Sequence, residues 1–208
     1  MSSLQKNKKR PTRIRTPVFV FVTEGQNKTE STYFNHLKCA CKASIKTEIS
    51  QATDIKNMAK RSKYFYGEYQ LDKANRDCLF CLVDLDANEN KVALLKKVSQ
   101  AKEYENIKFI ASNPCFEVWF LFHKEANPKN FNSSDKVKEY IKKYIPDYEE
   151  KTDVYERLKL KGQFATAVDR AEKKALIYER TYNELTTDWN PYTQVLDIMK
   201  IVKPNENF

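Results

Sequence analysis

Two acids flank a turn in the stretch V-F-V-F-V-T-E-G-Q-N-K-T-E, where Glu24 ends an apolar run and Glu30 follows six residues later. Two more, Asp84 and Asp86, close a second apolar run in C-L-F-C-L-V-D-L-D. Residues two apart in an extended chain face the same side, so Asp84 and Asp86 are expected to converge. If the two runs are adjacent parallel strands, Glu24 joins them and three carboxylates meet at one sheet edge. Carboxylates held this close repel one another, and a hard divalent cation relieves the repulsion. A set of oxygen ligands without His or Cys favours Mg2+ or Mn2+ over zinc. Taken singly, each acid also has a structural use, since Asp and Glu after strands form turns and cap the next helix.

The elements that must position these acids follow from hydrophobic periodicity. Residues 17–23 are a β-branched and aromatic run that reads as a central strand, and 78–85 is a second. Ile107 to Ala111 gives a third, and a short strand is expected near Thr47–Ser50. Between them, Thr29 to about Lys42, Asp54 to Tyr69, Asn88 to Glu105 and Phe116 to His123 carry helical spacing. Strands alternating with helices indicate an α/β fold, a mostly parallel sheet covered by helices, whose ligands gather at the carboxyl ends of the strands. From Asn130 onward the pattern turns helical, over Val137–Tyr144, Val154–Leu158, Phe164–Asn183 and Thr193–Val202. The expected organisation is a flexible basic arm over 1–14, a core over 15–128 and a helical C-terminal lobe over 129–208 packed on that core.

Composition narrows the function classes. The chain carries 37 Lys and Arg against 28 Asp and Glu, a net charge of +9 that suits a polyanionic partner such as nucleic acid. Only three glycines occur in 208 residues, which excludes a glycine-rich phosphate loop of the Walker or dinucleotide type. Five cysteines form an odd set, and Cys78-x-x-Cys81 lies inside an apolar strand, so buried thiols are expected there rather than zinc ligands. No apolar run is long enough to span a bilayer, and the basic N-terminus lacks a signal-peptide core, so a cytoplasmic location is expected. In S-N-P-C-F-E, Pro114 suits the first turn of a helix, which places Glu117 one turn in, where it can pair with the helix N-terminus.

Four segments together resemble the RloB family: E-G-Q-N-K-T-E-S-T-Y-F, V-D-L-D, S-N-P-C-F-E-V-W-F-L-F-H and the late N-P-Y-T-Q-V. That family includes one component of the AbiL abortive-infection system of bacteria, and the resemblance runs from about Arg13 to Val202. It implies a Toprim-like fold in which Glu24, Asp84 and Asp86 hold divalent metal for phosphodiester chemistry. Glu30 matches the second acid of the first segment, here lengthened by one residue between Gly25 and Thr29. Glu117 matches the acid of the third segment, as a ligand or a partner of metal-bound water. Lys151, in Y-E-E-K-T-D, resembles a family lysine and would neutralise the reacting phosphate, with Lys161 and Arg170 as alternatives. The resemblance also implies a partner, an ABC/SMC-like ATPase encoded nearby. The expected function is a nuclease serving a two-component antiphage system. Nucleotidyl transfer on the same acids, or a non-enzymatic subunit binding the ATPase, stand as alternatives.

Overall fold

Val18–Thr23, all valine, phenylalanine and threonine, forms β1, and its register with its neighbours sets the rest of the molecule. In this computed structural model, residues 15–24, 28–158 and 163–202 are described. The arm expected over 1–14 and the candidate Lys161 lie outside the described residues. The elements run β1, α1 (Lys28–Ala40), β2 (Ser44–Ile49), α2 (Ile55–Glu68), β3 (Cys78–Asp84), α3 (Glu89–Ser99), β4 (Ile107–Asn113) and α4 (Val118–Lys124). They continue with α5 (Ser134–Ile141), α6 (Val154–Arg157), α7 (Phe164–Thr181), β5 (Tyr192–Thr193) and α8 (Val195–Val202).

The sheet order is β2-β1-β3-β4-β5, parallel throughout except for β5, which pairs antiparallel with β4. The fold is the mixed α/β, Toprim-like architecture expected. Because helices cover both faces, the central strands are apolar continuously rather than alternately. Phe19, Phe21, Phe80, Leu82 and Ile110 face one side with α1, α4, α7 and α8. Phe21 stacks between Phe34 and Phe80, with ring centres 4.1 and 5.1 Å away. Val20, Val22, Leu79, Cys81 and Val83 face the other side against α2 and α3. Cys78 and Cys81 therefore pack on opposite faces of the sheet, and burial pushes the Cys81 thiol up to about 12.

Several boundaries differ from the sequence expectation. β2 begins at Ser44, whose N–H donates to the Pro17 carbonyl at 2.9 Å, ahead of the run read from Thr47. The helix read over Asn88–Glu105 stops at Ser99, and a 3₁₀ turn at Lys102–Tyr104 carries Tyr104 into the core instead. The helix read from Phe116 begins at Val118, and every side chain from Val118 to His123 is buried. The helix read from Thr193 is preceded by β5. Gln194 explains that strand, because its side chain accepts from the Ala111 N–H at 2.8 Å and its own N–H donates to the Ala111 carbonyl at 2.8 Å. Residues from the C-terminal half, among them Val137, Ile141, Phe164, Val195 and Ile198, share one apolar cluster with the sheet.

Candidate active site

Three parallel strands deliver their carboxyl ends to one edge. Val22 pairs with Cys81, and Asp84 pairs with Ser112, so Glu24 and Asp84 lie just beyond the same rung of the ladder. Glu24 directly follows β1, and Asp84 is the last residue of β3. Glu117 follows the turn after β4, and Glu30 stands in the first turn of α1, where the helix dipole favours an acid. A buried carboxylate is costly unless its charge is compensated, so the cause of each shift matters.

Burial raises the proton affinity of Glu24, against the Lys91 ammonium, and the charge of Asp86 adds to the rise. Glu30 is driven well above the carboxylate range by full burial and then by the charges of Asp84 and Glu117. Asp84 is driven up likewise, by burial first and then by Glu117, Asp86 and Glu24. These couplings join all five acids in one electrostatic basin. Cys115 lies inside it, its thiol pushed well up by burial and by Glu117 and Asp84.

The individual contacts are specific. Asp84 Oδ1 accepts from the Phe116 N–H at 2.9 Å, which ties the turn after β4 to the end of β3. Glu117 is fully buried; its Oε1 accepts from the Tyr148 hydroxyl at 2.9 Å, while its Oε2 has no hydrogen-bond partner among the described residues. Glu117 occupies the N-cap position of α4 without a side-chain cap bond, rather than lying one turn inside the helix. Asn113, also buried, accepts from the Ala87 N–H at 2.9 Å and donates to the carbonyls of Thr187 and Trp189 at 2.9 and 2.8 Å.

The expected convergence of Asp84 with Asp86 needs correction. β3 ends at Asp84, and Asp86 has a φ of 52°, so the alternation of an extended chain does not carry through to it. Asp86 Oδ2 instead pairs with Lys91 Nζ at 2.6 Å, and Oδ1 accepts from the Ser134 hydroxyl. Lys91 Nζ also donates to the Asp84 carbonyl at 3.0 Å. Burial works against the charge on Lys91, but the bond to Asp86 together with the charges of Asp86, Glu24 and Asp84 outweighs it and holds the ammonium above its usual range.

Sequence reasoning passed over Lys91, Ser134, Tyr148 and Lys138. One signal for Lys91 was available: Asn88 caps α3, its side chain accepting from the N–H groups of Asn90 and Lys91, and this puts a lysine in a first turn where the dipole disfavours a cation. Lys138 donates to Glu150 and feels the charge of Glu117. Lys151 is surface-exposed and pairs with Glu149 at 3.1 Å. Arg170 donates to the carbonyls of Phe122 and His123 at 3.1 and 3.0 Å, closing the end of α4.

The donor chemistry suits Mg2+ or Mn2+: five carboxylates, one with an unpartnered buried oxygen, and no imidazole among them. Their spacing is open. Among the described residues, no three His, Cys, Asp or Glu side chains stand close enough to ligate one ion as placed. Ligation by Glu24, Asp84 and Asp86 therefore requires Asp86, whose side chain is 43% exposed, to swing away from Lys91.

Among the described residues, no helix is long and apolar enough to cross a membrane. The profile of the family described as RloB-like protein matches residues 19–202. No curated protein and no solved structure matches the chain.

Proposed function

The chain belongs to the RloB-like family, and from that premise we propose that it is a divalent-metal-dependent nuclease, the effector of a two-component antiphage system whose ATPase is a separate, ABC/SMC-like partner. The observation that carries the reading is the basin itself, in which burial and then the charges of neighbouring acids, from three strand ends and the start of α1, raise the proton affinity of Glu24, Glu30 and Asp84. A fold gains nothing from such repulsion, so the arrangement is best understood as a receptor for positive charge.

Glu24, Asp84 and Asp86 would hold Mg2+ or Mn2+, which when bound polarises a phosphoryl oxygen and acidifies a water. In a single-metal version a separate base is needed, and Glu24, half-buried with its proton affinity raised, or Glu30 would take the proton of the attacking water. Glu30, wholly buried and with its proton affinity raised by burial and by Asp84 and Glu117, lines the inner wall. Lys91, once Asp86 turns away, is the cation set to meet the phosphate. Glu117, held by Tyr148, backs Asp84.

The test is cleavage of labelled DNA, messenger-like RNA and total transfer RNA with Mg2+ or Mn2+, with and without the partner ATPase. Asp84→Asn is expected to cut at least about 10²-fold more slowly. Undiminished cutting by Asp84→Asn refutes the assignment. Labelled nucleotides in the same reactions identify nucleotidyl transfer, should incorporation replace cutting. A second reading, a non-catalytic subunit that docks on the ATPase, is favoured by the ion pair that engages Asp86 with Lys91. It predicts no cleavage in any arm and undiminished co-purification of Asp84→Asn with the partner.

A further inference from the structure

A cavity of 760 Å³ opens on α5 and the segment before it, lined by Lys129, Phe131, Asn132, Lys136, Tyr140 and Lys143 among others. Its place is fixed relative to the acids, because Ser134, between the lining residues Asn132 and Lys136, donates its hydroxyl to Asp86. Lys136 lies two residues along the same helix, about 3 Å of rise from Ser134. Residues two apart on a helix point about 200° apart, so Lys136, with Tyr140 and Lys143 on the same stripe, faces away from the Ser134–Asp86 contact, and the cavity opens on the other side of α5 from it.

Its wall combines ammonium groups with a rigid aromatic surface. Lys129 sets its Nζ 4.5 Å from the ring centre of Tyr140, and Lys143 sets its own at 5.3 Å. Phe131 meets Tyr140 edge-on at 5.3 Å, and its backbone is clamped by Asn190, whose side chain accepts from the Phe131 N–H and donates to its carbonyl. Two acids temper the charge: Glu139 pairs with Lys136 at 2.8 Å, and Glu125 stands 3.5 Å from Lys143. Lysines poised over a ring can turn to phosphate and leave the ring face for a base, the combination by which single strands are held without sequence preference. A duplex offers its phosphates on a ridge and keeps its bases stacked, so a concavity of this size with an aromatic wall fits an unpaired nucleotide instead.

We infer that this cavity takes one unpaired nucleotide of a single-stranded nucleic acid, the lysines meeting its phosphates and Tyr140 its base. This rests on the hydrolase reading for its purpose, though binding is measurable without cleavage.

The experiment is fluorescence anisotropy of a labelled single-stranded oligonucleotide of mixed sequence, as DNA and as RNA, with the full chain in EDTA. Lys129→Ala combined with Lys143→Ala is expected to weaken binding about tenfold and to reduce the salt slope of log Kd by about 1.4, two phosphate contacts' worth. A control pair, Lys56→Ala with Lys60→Ala, removes equal charge from exposed positions of α2, on the other face of the sheet, and is expected to leave affinity within about twofold. Equal weakening by the two pairs overturns the site. So do tighter binding of the duplex form, competition by poly-glutamate as effective as by the strand, or no strand binding by the unaltered protein. Cleavage with metal is scored separately: loss of strand binding in Lys129→Ala/Lys143→Ala supports the cavity even if nothing is cut. Cutting that survives with binding unchanged supports the hydrolase and removes the cavity.

Discussion

Asp84 shows how one side chain serves folding and chemistry in opposite senses. Its Oδ1 holds the Phe116 N–H, a service asparagine performs equally, while its charge is opposed by burial and by Glu117, Asp86 and Glu24. A carboxyl raised on folding contributes stability that is full below its unfolded value and lost as pH rises through its folded value. Asp84→Asn is accordingly expected to raise the melting temperature at pH 7 in EDTA by about 2–4 °C. The gain is expected to shrink toward pH 4, and a drop at pH 7 would show the charge to be needed by the fold. At this scale the sequence was legible where acids end or directly follow strands, as Asp84 and Glu24 do, since parallel strands put their ends together. It was silent about Asp86, because a left-handed φ of 52° at a non-glycine residue leaves no local signature. Lys91 was passed over as one of 37 basic residues, its place in the first turn of α3 being the one signal that could have found it.

Among the elements, the junction of β4 with β5 organises the rim of the basin. Asn113 joins three segments there, the loop after β3 through Ala87 and the approach to β5 through Thr187 and Trp189. Asn113→Ala strands those groups and is expected to cost about 3 kcal/mol, read as a lowered urea midpoint with unchanged slope. An effect under about 1 kcal/mol would mean that water replaces the amide at no cost. Continuous apolar runs made β1, β3 and β4 readable, and helical spacing made α1 and α2 so. β5 was not readable, because two residues carry no period and its pairing depends on Gln194 reaching Ala111 from 83 positions away. The 3₁₀ turn at Lys102–Tyr104 escaped likewise, since its one buried side chain mimics the next step of α3.

For the molecule as a whole, the described part of the C-terminal half helps to complete the core, and His123 sits where they join. Its ring meets Trp119 and Phe164 edge-on, both ring nitrogens lack hydrogen-bond partners among the described residues, and burial followed by the charges of Lys124 and Arg170 lowers its pKa to about 3. The unfolded chain binds that proton near pH 6.5, so between there and pH 3 the unfolded state holds more protons and stability falls as pH falls. This runs against the trend set by the basin acids, so the contribution is isolated by comparison: His123→Phe is expected to gain on the unaltered protein steadily from pH 7 to pH 4, followed by urea midpoints. A constant difference across that range would show that the ring takes up its proton in place. The burial of α4 on every side, from Val118 to His123, has a kinetic counterpart. A segment with no outer face cannot trade its amide hydrogens for deuterium by fraying, so its exchange waits for the opening of the entire domain and its protection reports the global free energy.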